Sequence, residues 1–282
     1  MTEVQKDGYE ELKKYILDRT GVNMPEEMKE VYEKKIWGRV RELKLKGIKD
    51  YYLYLKYDKR GEEEFDRLID LILTKETYFF REERQLSAFV FEALPEVITY
   101  NQKIKRKNIM IWCAGCSTGE EAYTLAILLN EYAEVERWDI KIIATDINPE
   151  AIKKAREGVY GESSFRNTKT IYKSLYFERM GNGVFRIKDD IKRMVTFTKK
   201  NILDTDFSLS PEKFDIIFCR NVLIYFDREA KKKAAENFYH ALREEGFLFL
   251  GHAESLINVF PLFKIRHFKN DLVYQKPALE ND

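Results

Sequence analysis

"IWCAGCSTGEEAYTLAILL" spans residues 111 to 129. Its start is apolar, Gly115 and Gly119 interrupt the run, and from Glu120 onward apolar residues return at three- and four-residue spacing. The stretch predicts a buried strand, a glycine turn and an amphipathic helix. Glycines at such a junction let a ligand approach the backbone, and the helix start offers free N–H groups.

The spacing narrows the ligand. Dinucleotide sites carry G-x-G-x-x-G, because a pyrophosphate lies against the helix N-terminus. Here the spacing is G-x-x-x-G, and Glu120 and Glu121 stand where a phosphate would sit. Two carboxylates repel a phosphate and suit a ligand with hydroxyls and a cationic amine. S-adenosylmethionine has both, together with a sulfonium. Cys113 and Cys116 form a lone C-x-x-C, a pattern that can mean redox chemistry or half a zinc site. Cys113 continues the apolar strand and no histidine cluster supplies further ligands, so the buried structural reading is preferred and no metal is expected.

Composition frames the motif. A chain of 282 residues, 44% hydrophobic and 14% aromatic, can bury one large core or two modest ones. No stretch approaches the roughly 20 apolar residues of a membrane span, and the start "MTEVQKDGYEELKK" lacks a signal peptide's apolar core. A cytoplasmic location without membrane insertion is expected. Three cysteines argue against a disulfide framework, and a net charge of +1 does not advertise nucleic acid. A monomer is expected.

Organisation changes near residue 75. Before it, "YEELKKYILDRTG", "EEMKEVYEKKIWGRVRELKLKG", "IKDYYLYLKY" and "GEEEFDRLIDLILT" read as amphipathic helices. After it, strand and helix patterns alternate through "IMIWCA", "IKIIATD", "NPEAIKKAREG", "MVTFTKKN", "FDIIFCRN", "DREAKKKAAENFYHALRE" and "GFLFLGHAE". The expected fold class is α/β, with a mostly parallel sheet covered by helices, preceded by a small helical domain. Ligands of such sheets bind beyond the carboxyl ends of the strands. Those ends carry Asp146, Asn201, and the trio Arg220, Asn221 and Tyr225. Asp146 can accept from ribose hydroxyls or cap a turn, and Asn201 can be a site or a loop residue. Between the second and third strands, "LYFERMGNGVFRIKDDIKRMVTF" reads as an inserted hairpin, either a partner contact or an elaborated crossover.

Five blocks in order, "ETYFFRE" (76 to 82), "AGCSTGEEAYTLAI" (114 to 127), "ATDINPEAIKKAREGVY" (144 to 160), "FDIIFCRNVLIYFD" (214 to 227) and "GHAESL" (251 to 256), resemble the chemotaxis receptor methyltransferase family, CheR. The resemblance covers nearly the whole chain. It implies a Rossmann-like S-adenosylmethionine-dependent sheet over 76–282, an inserted small antiparallel β subdomain at about 170–198, and a receptor-docking helical domain over 1–75. The implied activity is O-methylation of glutamate side chains on cytoplasmic helices of chemotaxis receptors, with S-adenosylhomocysteine as product and a methylesterase opposing it during adaptation. Carried over by position, Thr77, Arg81, Glu121, Asp146, Asn201, Ile202, Arg220 and Asn221 would contact the cofactor, and Arg81 and Tyr225 would be catalytic. Lys75 departs from the family's usual Asn, and Ala122 from its usual Pro. Within the family the inserted hairpin can bind a peptide tethered at a receptor's C-terminus. The short Gly181-Asn182-Gly183 turn favours recruitment without that tether.

The chemistry needs few groups. A glutamate carboxylate, with a pKa of roughly 4.3, is already ionised at pH 7, so no general base is required. Catalysis then reduces to alignment, which can lower a barrier by on the order of 7 to 11 kcal/mol. Arg81 offers a planar donor edge to a carboxylate, and Tyr225 can orient the nucleophile or face the sulfonium. The alternatives are a salt bridge for Arg81 and a packed aromatic for Tyr225. Lys35, Arg39, Arg41, Lys44 and Lys46 crowd one segment of the helical domain and are expected to steer a glutamate-bearing helix. Other functions compatible with the pattern are methylation of RNA or a small molecule, a non-catalytic S-adenosylmethionine-binding adaptor, and a nicotinamide oxidoreductase, which the acidic turn disfavours.

Overall fold

The computed structural model describes residues 8–73, 76–132, 138–204, 212–269 and 271–278; Lys75 lies outside them. Four helices, α1 (Tyr9–Thr20), α2 (Lys29–Glu42), α3 (Ile48–Tyr57) and α4 (Gly61–Ile72), form the helical domain. Their apolar stripes close over one core that includes Leu12, Ile16, Ile36, Val40, Tyr51, Leu68 and Ile69. Gly21 ends α1 at φ 74°, its N–H returned to the Leu17 carbonyl, as a left-handed C-terminal cap requires.

This domain corrects the expectation for Arg39. Its guanidinium is not a free surface cation: it forms a two-pronged pair with Glu64 at 2.8 and 2.7 Å, and Glu64 is 2% exposed. The Tyr51 hydroxyl donates to the same carboxylate at 2.8 Å. Lys35 likewise donates to the Leu71 carbonyl at 2.7 Å. Arg41, Lys44 and Lys46 are exposed.

A helix of three parts follows: α5 (Glu83–Ala88), a π turn (Phe89–Ala93) and α6 (Leu94–Lys103). The large sheet is built from β1 (Asn108–Ala114), β2 (Asp139–Asp146), β6 (Val195–Lys199), β7 (Phe214–Cys219), β8 (Leu242–Leu250), β9 (Lys264–His267) and β10 (Leu272–Gln275). Its order is β6-β2-β1-β7-β8-β10-β9. The first five strands run parallel, and β10 and β9 add antiparallel at one edge. Helices α7 (Glu120–Glu131), α8 (Pro149–Glu157) and α11 (Arg228–Ala241) are the crossovers. Strand β1 is buried on both sides: Ile109, Ile111 and Cys113 join the core shared with α6 and α7, while Met110, Trp112 and Ala114 join the core shared with α11. A strand covered on both faces reads as a continuous apolar run, and this one does.

The GNG turn joins β4 (Phe177–Gly181) to β5 (Val184–Ile187), and β3 (Val159–Gly161) completes an antiparallel sheet of order β3-β5-β4. The short helices α9 (Thr170–Tyr176) and α10 (Asp189–Lys192) flank it. The small sheet therefore begins ahead of residue 170, and β6, inside the span expected for the insertion, pairs with β2 in the large sheet.

The helical domain is tied to the sheet at several points. Asn201 donates through Nδ2 to the Arg19 carbonyl at 2.7 Å, Lys199 pairs with Asp66, and Asn148 donates to Asp70. The Asn23 N–H donates to the Tyr225 carbonyl at 2.7 Å, beside a backbone bridge between Val22 and Phe226.

Candidate active site

One cleft opens where the C-terminal ends of β1, β2, β6 and β7 meet the helical domain. It holds about 1020 Å³ of open space, and its lining includes Thr77, Arg81, Glu121, Asp146, Asn201, Ile202, Arg220, Asn221 and Tyr225. All nine residues expected to bind cofactor or act in catalysis thus line one cleft. Thr20, Val22 and Leu73 of the helical domain line it as well.

The glycine turn sets the floor. Gly115 has φ 80°, and a Cβ there would stand 2.4 Å from Val222 Cγ2. Gly119, at φ 95°, begins α7 and packs against Ala155 and Tyr160, leaving no room for a side chain. Close packing of chain on chain, along with the positive φ, therefore accounts for both glycines. The two carboxylates that follow are unlike. Glu120 turns away from the cleft, buried, and accepts from Thr118 Oγ1 at 2.7 Å and Ser164 Oγ at 3.0 Å. Burial raises its pKa, and those hydroxyls pull the other way. Only Glu121 faces the cleft.

Asp146 closes β2. Its Oδ2 accepts the Ser117 N–H at 2.8 Å and its Oδ1 the Asn148 N–H at 2.9 Å. Burial pushes its carboxyl up, against the lowering effect of these N–H bonds. The cap of α8 is Asn148, whose Oδ1 accepts from the Glu150 and Ala151 N–H groups. Asp146 instead braces the glycine turn from the lining of the cleft. In Asn201 the side chain is committed both ways: Oδ1 accepts the Leu203 N–H at 3.0 Å, and Nδ2 makes the interdomain bond to Arg19.

Arg220, 7% exposed, is the hub. It donates to Glu121 Oε2 at 2.5 Å, to Gln85 Oε1 at 3.1 Å, and through both terminal nitrogens to the Arg81 carbonyl at 3.1 Å. Cys113 Sγ donates to the other oxygen of Glu121 at 3.1 Å. The buried thiol is pushed well up from its ordinary pKa, first by desolvation and then by Glu121, so Cys113 is a neutral donor that fixes a carboxylate. Arg81 spends one N–H on the Glu76 carbonyl at 2.8 Å and points its side chain along the cleft wall. Tyr225 sits in a 3₁₀ turn, Leu223–Tyr225, just past β7.

Three partners were invisible in local sequence. Gln85 and Cys113 hold Arg220 and Glu121 from opposite sides. Glu254, in "GHAES", accepts the N–H groups of Asn221 at 2.8 Å, Val222 at 2.9 Å, Ile224 at 3.2 Å and Gly251 at 2.7 Å. The signal for Glu254 was its acidic character next to a strand-end glycine, but nothing local tells which backbone it caps.

Residues 7–73 match the all-alpha domain of CheR methyltransferases, and residues 75–270 match the CheR methyltransferase SAM binding domain. The chain is 36% identical to the chemotaxis protein methyltransferase of Borreliella burgdorferi over 90% of its own length and 89% of that protein. It is 33% identical to chemotaxis protein methyltransferase 2 of Vibrio cholerae, over 93% and 90% respectively. Both halves of the fold, and the cleft they enclose, therefore fall within one match, and the chain belongs to the CheR methyltransferase family, enzymes built on an S-adenosylmethionine-binding domain.

Proposed function

We propose that this protein methylates glutamate side chains on the cytoplasmic helices of chemotaxis receptors. The observation that carries the reading is the set of groups gathered in one cleft at the C-terminal ends of the strands: the carboxylates of Glu121 and Asp146 together with Arg81 and Tyr225.

The residues present suit S-adenosylmethionine. Asp146 has lone pairs for ribose hydroxyls, Glu121 offers an oxygen to a cationic amine, and Ile202 supplies an apolar surface beside Asn201. When bound, the cofactor supplies a methyl group whose C–S bond breaks, with its electron pair going to sulfur, as the bond to the carboxylate oxygen forms. The chain's own groups have no proton to move. Arg81 places a carboxylate through its planar donor edge, and Tyr225 orients the oxygen that attacks. Arg220 works behind them, since one guanidinium holds both Glu121 and the Arg81 backbone. The exposed Arg41, Lys44 and Lys46 give the helical domain a basic surface that would attract an acidic receptor helix.

The test is chemical. Incubation with methyl-labelled S-adenosylmethionine and receptor-rich membranes should place label in protein, and mild base should release it as methanol from a carboxyl ester. Label that resists base, or that partitions into RNA or small molecules, would refute the glutamate reading. No transfer at all from a folded, cofactor-binding protein would point to an adaptor.

A further inference from the structure

The carboxylate of Glu254 lies behind the cleft and receives four backbone N–H groups within 3.2 Å. Three belong to the loop after β7, the loop that ends in Tyr225. The fourth, from Gly251, anchors the same carboxylate to the end of β8, and the Glu254 N–H closes the turn onto the Gly251 carbonyl at 2.9 Å. Among the described residues, Glu254 makes no ion pair, so its charge is met by backbone dipoles alone.

The loop it holds is unusual. Asn221 has φ 59°, in the left-handed region that few non-glycine residues occupy and that asparagine tolerates best among them. Gly251 leaves the space that the carboxylate fills: a Cβ on it would stand 2.9 Å from Glu254 Oε2 and 3.0 Å from the Asn221 nitrogen. Consecutive N–H groups converging on one anion form a concavity normally filled by a ligand. Here the chain fills it with its own side chain.

We infer that Glu254 is a positioning residue for the methyl transfer, fixing the 221–225 loop so that Tyr225 meets the reacting carboxylate. This rests on the active-site reading of Tyr225. Glu254 does not line the cleft. Its effect is exerted through the loop, where ångström-scale misplacement can cost on the order of 100-fold in rate.

The conservative change is Glu254→Gln. Its amide retains one acceptor oxygen and turns an NH₂ toward N–H donors that had been satisfied. The full-length variant is compared with Val273→Ala, which thins the buried core at β10 and controls for general loss of stability. Two measurements are made. Hydrogen exchange of the peptide covering 220–226 should accelerate in Glu254→Gln and not in Val273→Ala. In single-turnover methyl transfer at saturating S-adenosylmethionine, Glu254→Gln should be slower by roughly 10- to 100-fold, and adding Tyr225→Phe should then cost far less than it does in the wild type. Non-additivity of that kind marks residues acting through one another.

Unchanged exchange at 220–226 would overturn the proposal. So would faster exchange with the full cost of Tyr225→Phe retained, because the loop would then be held without serving the tyrosine. If Tyr225→Phe alone, with Glu254 intact, transfers methyl at the wild-type rate, the active-site reading itself fails and the proposal falls with it. That result is distinguishable because Glu254 is untouched in it.

Discussion

Replacing Asp146 by alanine separates a ligand-binding carboxylate from a structural one. The side chain makes two internal bonds, from the Ser117 and Asn148 N–H groups, and each of its oxygens can accept a further bond in the cleft that the residue lines. Removing it leaves two backbone donors without a partner. At about 1 kcal/mol each, since cleft water can reach them, the loss is about 2 kcal/mol, or roughly 3 to 4 °C in Tm for a chain of 282 residues. If Asp146 also accepts two ribose hydroxyls, two charge-assisted bonds worth roughly 1.5 to 3 kcal/mol each disappear as well. The S-adenosylhomocysteine Kd should then rise by roughly two to four orders of magnitude. Calorimetric titration of the folded variant, alongside thermal unfolding, reads both quantities. A variant that melts lower by the expected amount yet binds with the wild-type Kd would refute the ribose assignment and leave Asp146 a brace for the glycine turn.

Tyr225→Phe should lower turnover by a large factor while moving the S-adenosylhomocysteine Kd little, whereas Arg81→Ala should lower both; wild-type methyl transfer in the two variants would relocate the active site. Arg39→Ala should cost about 3 kcal/mol of stability by leaving the buried Glu64 carboxylate with only Tyr51 and the more distant Arg67, measured by denaturant unfolding. By contrast, charge reversal at Lys44 and Lys46 should leave unfolding unaltered and weaken receptor methylation most at low salt; equal loss at every salt concentration would rule out steering. Glu120 has a pKa raised by burial above the ordinary 4.5, so its ionised form opposes folding and stability is gained as pH falls through the raised value. Glu120→Gln should therefore match or exceed wild-type Tm at pH 7, with the advantage fading as pH falls through the raised value and gone below about pH 4.5, where both chains carry a neutral side chain.

Much of the fold was legible because it is periodic. The buried strands and amphipathic crossovers announce themselves in runs such as "IMIWC" and "FDIIFC", and the glycine turn marks which strand end bears the site. Strand β3 was missed because three residues, "VYG", carry no periodicity and become a strand only by pairing with β5. Strands β9 and β10, at one end of the large sheet, are only one residue longer. Cleft residues were recoverable because topology forces the ends of parallel strands to one rim. Arg39 was misjudged for the opposite reason: local charge density predicts a basic face, while its partner Glu64 lies on another helix. The same limit hid Glu254 and Gln85, whose roles are set by contacts across the sheet.

The bond between Asn201 and Arg19 joins positions 182 residues apart, and the Asn23 to Tyr225 bond spans a similar distance. Such contacts cannot form until β6 and β7 have been made and the helical domain has docked on them. The helical core can close early from contacts near in sequence, but the loop bearing Tyr225 must wait for the last long-range closures. The chain thus becomes helical well before it becomes competent, and a partly synthesised or half-folded molecule has no formed cleft in which to engage the cofactor.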